Sequence, residues 1–90
     1  MTPSLLRAAP EVIVAHLDRE AVLLHLGSKR YFRLNDTASA IWRGIEEGVD
    51  EASIVGRLLL EFDVPRDEAA REVARVLRAL RDDALVTSAA

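Results

Sequence analysis

Between residues 11 and 34 the chain carries three apolar runs separated by polar breaks of only three residues each. Residues 11–17 include the β-branched Val12, Ile13 and Val14. After Asp18, Arg19 and Glu20 comes a second run, residues 21–26, with Val22, Leu23 and Leu24. After Gly27, Ser28 and Lys29 comes a third, residues 30–34. A parallel crossover needs roughly a dozen residues or more, so breaks this short permit only antiparallel neighbours, a three-stranded meander. Side chains alternate along a strand. Phe32 and Leu34 therefore share one face of the third strand and Tyr31 and Arg33 the other. The first pair is expected to face the core.

From Asn35 onward the apolar period changes from two to that of a helix. Ala38, Ile41, Trp42 and Ile45 follow i, i+3, i+4, i+7 spacing. Asn35 or Asp36 can cap this helix, and Gly48 suits the position just past its end. Asp50 can cap a second helix, whose buried stripe is Ile54, Val55, Leu58, Leu59 and Phe62. Gly56 sits inside it at a cost of about 1 kcal/mol relative to alanine and suggests close packing. Pro65 marks the next break. Asp67 and Glu68 then suit the first turn of a third helix, where the helix dipole favours acids. Ala69, Ala70, Val73, Val76, Leu77 and Leu80 form its apolar face. Leu85 and Val86 close the core, and residues 87–90 read as frayed. The fold class is α+β: three antiparallel strands, then three helices, with a winged helix-turn-helix look. Residues 1–90 are expected to form one domain with its core over about residues 11–86.

Most enzymatic chemistries lack their residues. There is no cysteine in the chain, which removes a disulfide framework, a thiolate zinc site and a cysteine nucleophile. His16 and His25 have no third metal ligand at suggestive spacing. No serine lies in a nucleophile-elbow motif, and Gly27, Gly44, Gly48 and Gly56 are too scattered for a phosphate loop. Glu46 with Glu47 and Asp82 with Asp83 sit at helix ends and read as solvated charges. The expectation is a protein with no catalytic site, metal or cofactor. Residues 1–10 hold a single cation, Arg7, and no signal-like apolar run; nor is any run long enough to span a bilayer. A cytoplasmic protein with no membrane partner is expected.

Net charge is −3 at pH 7 and the pI about 5.3, against the basic balance usual for polyanion binders. Arg71, Arg75 and Arg78 nevertheless share one face of the third helix. One alternative makes them the DNA-facing stripe of a winged helix-turn-helix regulator. The other makes them a solvated face, tied by Asp67–Arg71 and Arg78–Asp82 pairs at i, i+4. The interleaved acids favour the second, so no nucleic-acid partner is expected. The first two strands also carry apolar residues on both faces, through Ile13, Ala15 and Leu17 as well as Val12 and Val14. That extra face would either dock a partner or be covered by the N-terminal arm.

The stretch from Tyr31 to Ala38 (Tyr-Phe-Arg-Leu-Asn-Asp-Thr-Ala), with Ile41 and Trp42 after it, resembles the signature of PqqD-like proteins, also called RiPP recognition elements. The match continues through Gly48, Ile54, Leu58, Phe62, Asp63 and Val64 to Val73, Leu77, Leu80 and the closing Leu85 and Val86. One departure is Ala84, where the family usually has glycine; an αL conformation there would strain an alanine. The Leu-Asn-Asp-Thr-Ala form resembles the stand-alone subunits of lasso-peptide pathways more than the proteins of pyrroloquinoline quinone biosynthesis.

The resemblance implies a non-catalytic adaptor. It would bind the leader of a ribosomally made precursor peptide as an antiparallel strand on the edge of the third strand, in a groove beside the third helix. The residues implied are Arg30, Tyr31, Phe32, Arg33 and Leu34 on the strand, with Ala69, Glu72, Val73, Val76, Leu77 and Leu80 on the helix. Which flank of that helix borders the groove is open. Phe32 and Leu34 would be core residues whose backbones serve the leader. The implied partners are the precursor peptide and a leader peptidase, a cyclase or another modifying enzyme. In a PqqD-like pathway that enzyme would be a radical SAM enzyme. A second copy of the chain, in a weak homodimer, could instead cover the apolar outer face. A purely structural subunit that binds its enzyme but no peptide is the third alternative.

Overall fold

The computed structural model describes residues 5–88. In chain order the elements are β1 (Leu6–Ala8), β2 (Val12–Leu17), β3 (Glu20–His25), β4 (Arg30–Leu34), α1 (Asp36–Glu46), α2 (Glu51–Glu61), α3 (Arg66–Asp82) and β5 (Val86–Ser88). β2, β3 and β4 form an antiparallel sheet in that order. α1 packs on its inner face, with α2 and α3 against α1, and Ala21, Leu23 and Leu34 join Ile41, Trp42, Leu58 and Val73 in one core. This is the α+β, winged helix-turn-helix-like order that the hydrophobic periods predict.

The ends of the chain differ from expectation. β1 pairs antiparallel with β5, Leu6 opposite Ser88 and Ala8 opposite Val86, as a second sheet. Thr87 and Ser88 are therefore strand rather than frayed. Ala89, Ala90 and Met1 to Ser4 lie outside the described residues. β1 lies against α1 and β5, so the described part of the N-terminal arm does not cover the outer face of the larger sheet. Ile13 and Leu17 remain 54% and 55% exposed there.

The helix ends follow local chemistry. The Asn35 side chain accepts the Ala38 N–H at 2.9 Å, so Asn35 rather than Asp36 is the cap of α1. Asp50 accepts the Ser53 N–H at 2.8 Å at the start of α2. Both α1 and α3 end in a Schellman motif. After α1, the N–H groups of Gly48 and Val49 donate to Ile45 and Gly44, with Gly48 at φ +77°. After α3, Ala84 and Leu85 donate to Arg81 and Leu80, and Ala84 holds φ +59°. The alanine thus occupies the strained conformation that a glycine would hold freely. The reward is positional: the second motif folds Leu85 back onto Leu80, and both are buried.

The close-packed glycine is Gly44, not Gly56. A Cβ on Gly44 would stand 2.8 Å from Cγ1 of Ile54, where α1 crosses α2, whereas a Cβ on Gly56 would meet nothing within 4 Å. Ala70 also departs from the predicted stripe. It is exposed, because α3 buries only the arc holding Ala69, Val73, Val76, Leu77 and Leu80.

Candidate functional site

The hydrogen-bond parity of the sheet determines which backbone groups are free. Residues of a central antiparallel strand alternate between their two neighbours. The β2–β3 hairpin closes on Leu17 opposite Glu20 around the two residues Asp18 and Arg19, with Asp18 at φ +58°. A two-residue hairpin closes on a pair that exchanges both bonds. Residues 20, 22 and 24 of β3 therefore bond to β2. The Leu26 N–H continues that series by donating to the Glu11 carbonyl at 2.9 Å. Ala21, Leu23 and His25 must then bond to β4, to their partners Leu34, Phe32 and Arg30. The backbone groups of β4 that point outward are those of Tyr31 and Arg33. Phe32 and Leu34 spend theirs on β3, so the expectation that their backbones also serve a ligand is corrected by the register.

Beside this open edge runs a groove of about 650 Å³ between β4 and α3. Phe32 and Leu34 form its strand wall, Val76, Ala79 and Leu80 its helix wall, and Ala38 and Leu85 contribute further apolar surface. The small side chains of Ala38 and Ala79 leave the space. One end is crossed by Arg30, which lies over the Phe32 ring at 4.9 Å and reaches Asp83 at 3.6 Å. The start of β4 thus meets the end of α3, and the two walls run in opposite directions.

Charge around the groove is paired. Arg75 donates from Nε and Nη2 to the two oxygens of Glu72, at 3.0 and 2.7 Å. That hydrogen bond holds the Glu72 carboxyl below its usual range, against a smaller opposing effect of burial. Arg33 donates from Nη2 to Glu20 at 3.1 Å on the outer face. Arg71 pairs with Asp67 at 3.6 Å, but the expected Arg78–Asp82 pair does not form among the described residues. Glu46 and Glu47, expected as plain solvated charges, hold His16 at 3.2 Å and Arg57 at 2.8 Å. Among the described residues no group of histidines and acids could hold a metal ion, and no helix is long and apolar enough to cross a membrane.

The structure brings Tyr31, Phe32, Arg33, Leu34, Val76 and Leu80 together on the groove, and Arg30 at its end. Ala69 and Glu72 line a separate notch of about 230 Å³ with Leu58, Phe62 and Val64. Val73 is fully buried, and Leu77 turns to the opposite flank of α3, near Leu6 and Ile45. Sequence reasoning missed Glu20, Asn35, Ala38, Arg75, Ala79, Asp83 and Leu85 as lining residues. Ala79 and Asp83 had a signal, since they continue the Val76 flank at i+3 and i+7.

Among the described residues, an open β-strand edge thus lies beside an apolar helix wall. The profile of the family described as "Coenzyme PQQ synthesis protein D (PqqD)" matches residues 20–86. The chain belongs to the PqqD family. Among solved structures it is similar to TbiB1, determined in complex with the TbiA(beta) leader peptide. The identity is 37% and the TM-score 0.86, over 93% of this chain and 98% of that one. It is also similar to a lasso peptide synthetase B1 complexed with the leader peptide. There the identity is 33% and the TM-score 0.83, over 91% of this chain and 96% of the other. No curated protein matches the sequence.

Proposed function

We propose that this chain is a non-catalytic adaptor that captures the leader of a ribosomally made precursor peptide and presents it to a processing enzyme, in a pathway of the lasso-peptide type. The observation that carries this function is the free backbone edge at Tyr31 and Arg33 beside the apolar groove. An antiparallel leader strand would exchange hydrogen bonds with those two residues and bury its inward side chains against Phe32, Val76 and Leu80. Both similar structures are complexes with leader peptides. The apolar outer face, with Ile13, Leu17 and Tyr31 exposed, suits the processing enzyme. Holding the leader there raises its effective concentration at that enzyme. The DNA alternative draws little support from α3, where Asp67 and Glu72 occupy two of the three arginines.

The test is a titration with the TbiA(beta) leader peptide, followed by backbone amide shifts. Shifts should cluster on β4 and on the flank of α3 that holds Val76, Ala79 and Asp83. A folded chain with no shifts at high peptide concentration, or with shifts confined to the Arg71 and Arg78 face, would refute the proposal.

A further inference from the structure

The sheet register assigns a face to each residue of any strand that pairs with β4, and we infer that the Arg33 side chain selects an acidic residue in the bound peptide, between two apolar residues that enter the groove. This rests on the strand-addition function proposed above. Directly opposed residues of an antiparallel pair point to the same face, with Cβ atoms about 4.5–5.5 Å apart. The peptide residue opposite Arg33 therefore stands on the outer face beside the guanidinium. Its two neighbours turn inward, towards Phe32 and Leu34 on one side and Val76 and Leu80 on the other.

Three arginines border the groove, and Arg33 is the most exposed of them and stands on the outer face of β4. Arg75 already gives both Nε and Nη2 to Glu72. Arg30 is turned inward over Phe32 and onto Asp83. Arg33 donates a single N–H to Glu20, and its side chain is 79% exposed. A guanidinium carries five N–H donors, so a second carboxylate can bind without displacing Glu20. Glu20 approaches from the β3 side, and the peptide would approach from the open side. The rest of that rung is Val22 and Ala15, which supply no competing charge. The next outward peptide residue, opposite Tyr31, joins the apolar rung of Leu24 and Ile13 and meets no charged partner there.

The experiment pans a random-peptide display library against the whole chain and keeps the clones that Arg33→Pro, without the edge N–H, weakens beyond Arg33→Ala, which lacks only the side chain. The expected selection is Asp or Glu at one position between two apolar ones. Against Arg33→Glu the same frame should select Lys or Arg. In one synthetic clone, replacing that acid by Lys should weaken binding to the native chain on the order of tenfold, and Arg33→Glu should restore it. Clones that pass the filter with no acid at that position, or with the same residue selected by Arg33→Glu, overturn this inference and leave strand addition standing. A library that yields no clone weakened more by Arg33→Pro than by Arg33→Ala overturns both.

Discussion

Arg33→Pro separates backbone pairing from every other way in which a peptide could occupy the groove. The Arg33 N–H points out of the sheet, so losing it removes no bond from the folded chain. Proline is tolerated on an edge strand when its missing N–H would face solvent. It also biases the preceding residue, Phe32, towards the extended conformation that it already has. The native structure loses the Arg33–Glu20 ion pair, with side chains 79% and 50% exposed, a contribution of about 0.2–1 kcal/mol. Arg33→Ala carries that same loss and is the control. Against the bound strand, proline leaves a peptide carbonyl without its donor in a half-buried setting. An unsatisfied group of that kind costs about 1–3 kcal/mol, or roughly 5- to 150-fold in affinity.

The assay is fluorescence anisotropy with a labelled leader, alongside thermal unfolding of each variant. Arg33→Pro should unfold near Arg33→Ala yet bind at least about fivefold more weakly. Phe32→Pro should behave differently. Its N–H is committed to Leu23, which is fully buried, so the variant should lose the sheet along with binding. Equal leader affinity in Arg33→Pro and Arg33→Ala would refute the parity argument and strand addition together.

Thermal unfolding should separate the two helical glycines. Gly56→Ala meets open space and should stabilise the chain by about 0.5–1 kcal/mol, while Gly44→Ala should destabilise it by pressing on Ile54. Ala84→Gly relieves the φ +59° strain and should raise the unfolding midpoint, by about 0.5–1 kcal/mol in stability after the entropy lost to the unfolded chain. Asn35→Ala removes the α1 cap and should cost about 1 kcal/mol in a denaturant titration. The carboxyls of Glu72, Asp50 and Glu47 are held below their usual range by hydrogen bonds from Arg75, Ser53 and Arg57 respectively. A carboxyl lowered in this way stabilises the fold above its unfolded pKa, and that contribution disappears as pH falls through the folded value. Stability should therefore be level near neutrality and decline below about pH 4. Asp50→Asn keeps a cap but cannot titrate, and should decline less steeply, as circular dichroism against pH would show.

The order of strands and helices was legible because each run is long enough to display its period. β1 and β5 are three residues each and display none, so their pairing across the two ends of the chain left no local trace. The two Schellman motifs make the same contrast. Gly48 announces its left-handed turn by composition, while Ala84 adopts the same turn with a residue that conceals it. The groove flank was hidden for a different reason. Val73, Leu77 and Leu80 centre an apolar arc with candidate residues on both sides, and only the angle of α3 across the sheet separates those sides. That angle is a tertiary quantity, visible in the Arg30–Asp83 contact and in the return of Leu85 onto Leu80. The free backbone groups were closest to being legible. The apolar runs suggest a three-residue break at 18–20, whereas the hairpin turns on Asp18 and Arg19 alone and Glu20 belongs to β3. An uncertainty of one residue in a turn inverts the parity of every bond beyond it. It exchanges the open groups of Tyr31 and Arg33 for those of Phe32 and Leu34. The same slip would turn Phe32 and Leu34 from the core to the outer face, so the apolar side chains of the edge strand and its free backbone groups are set together.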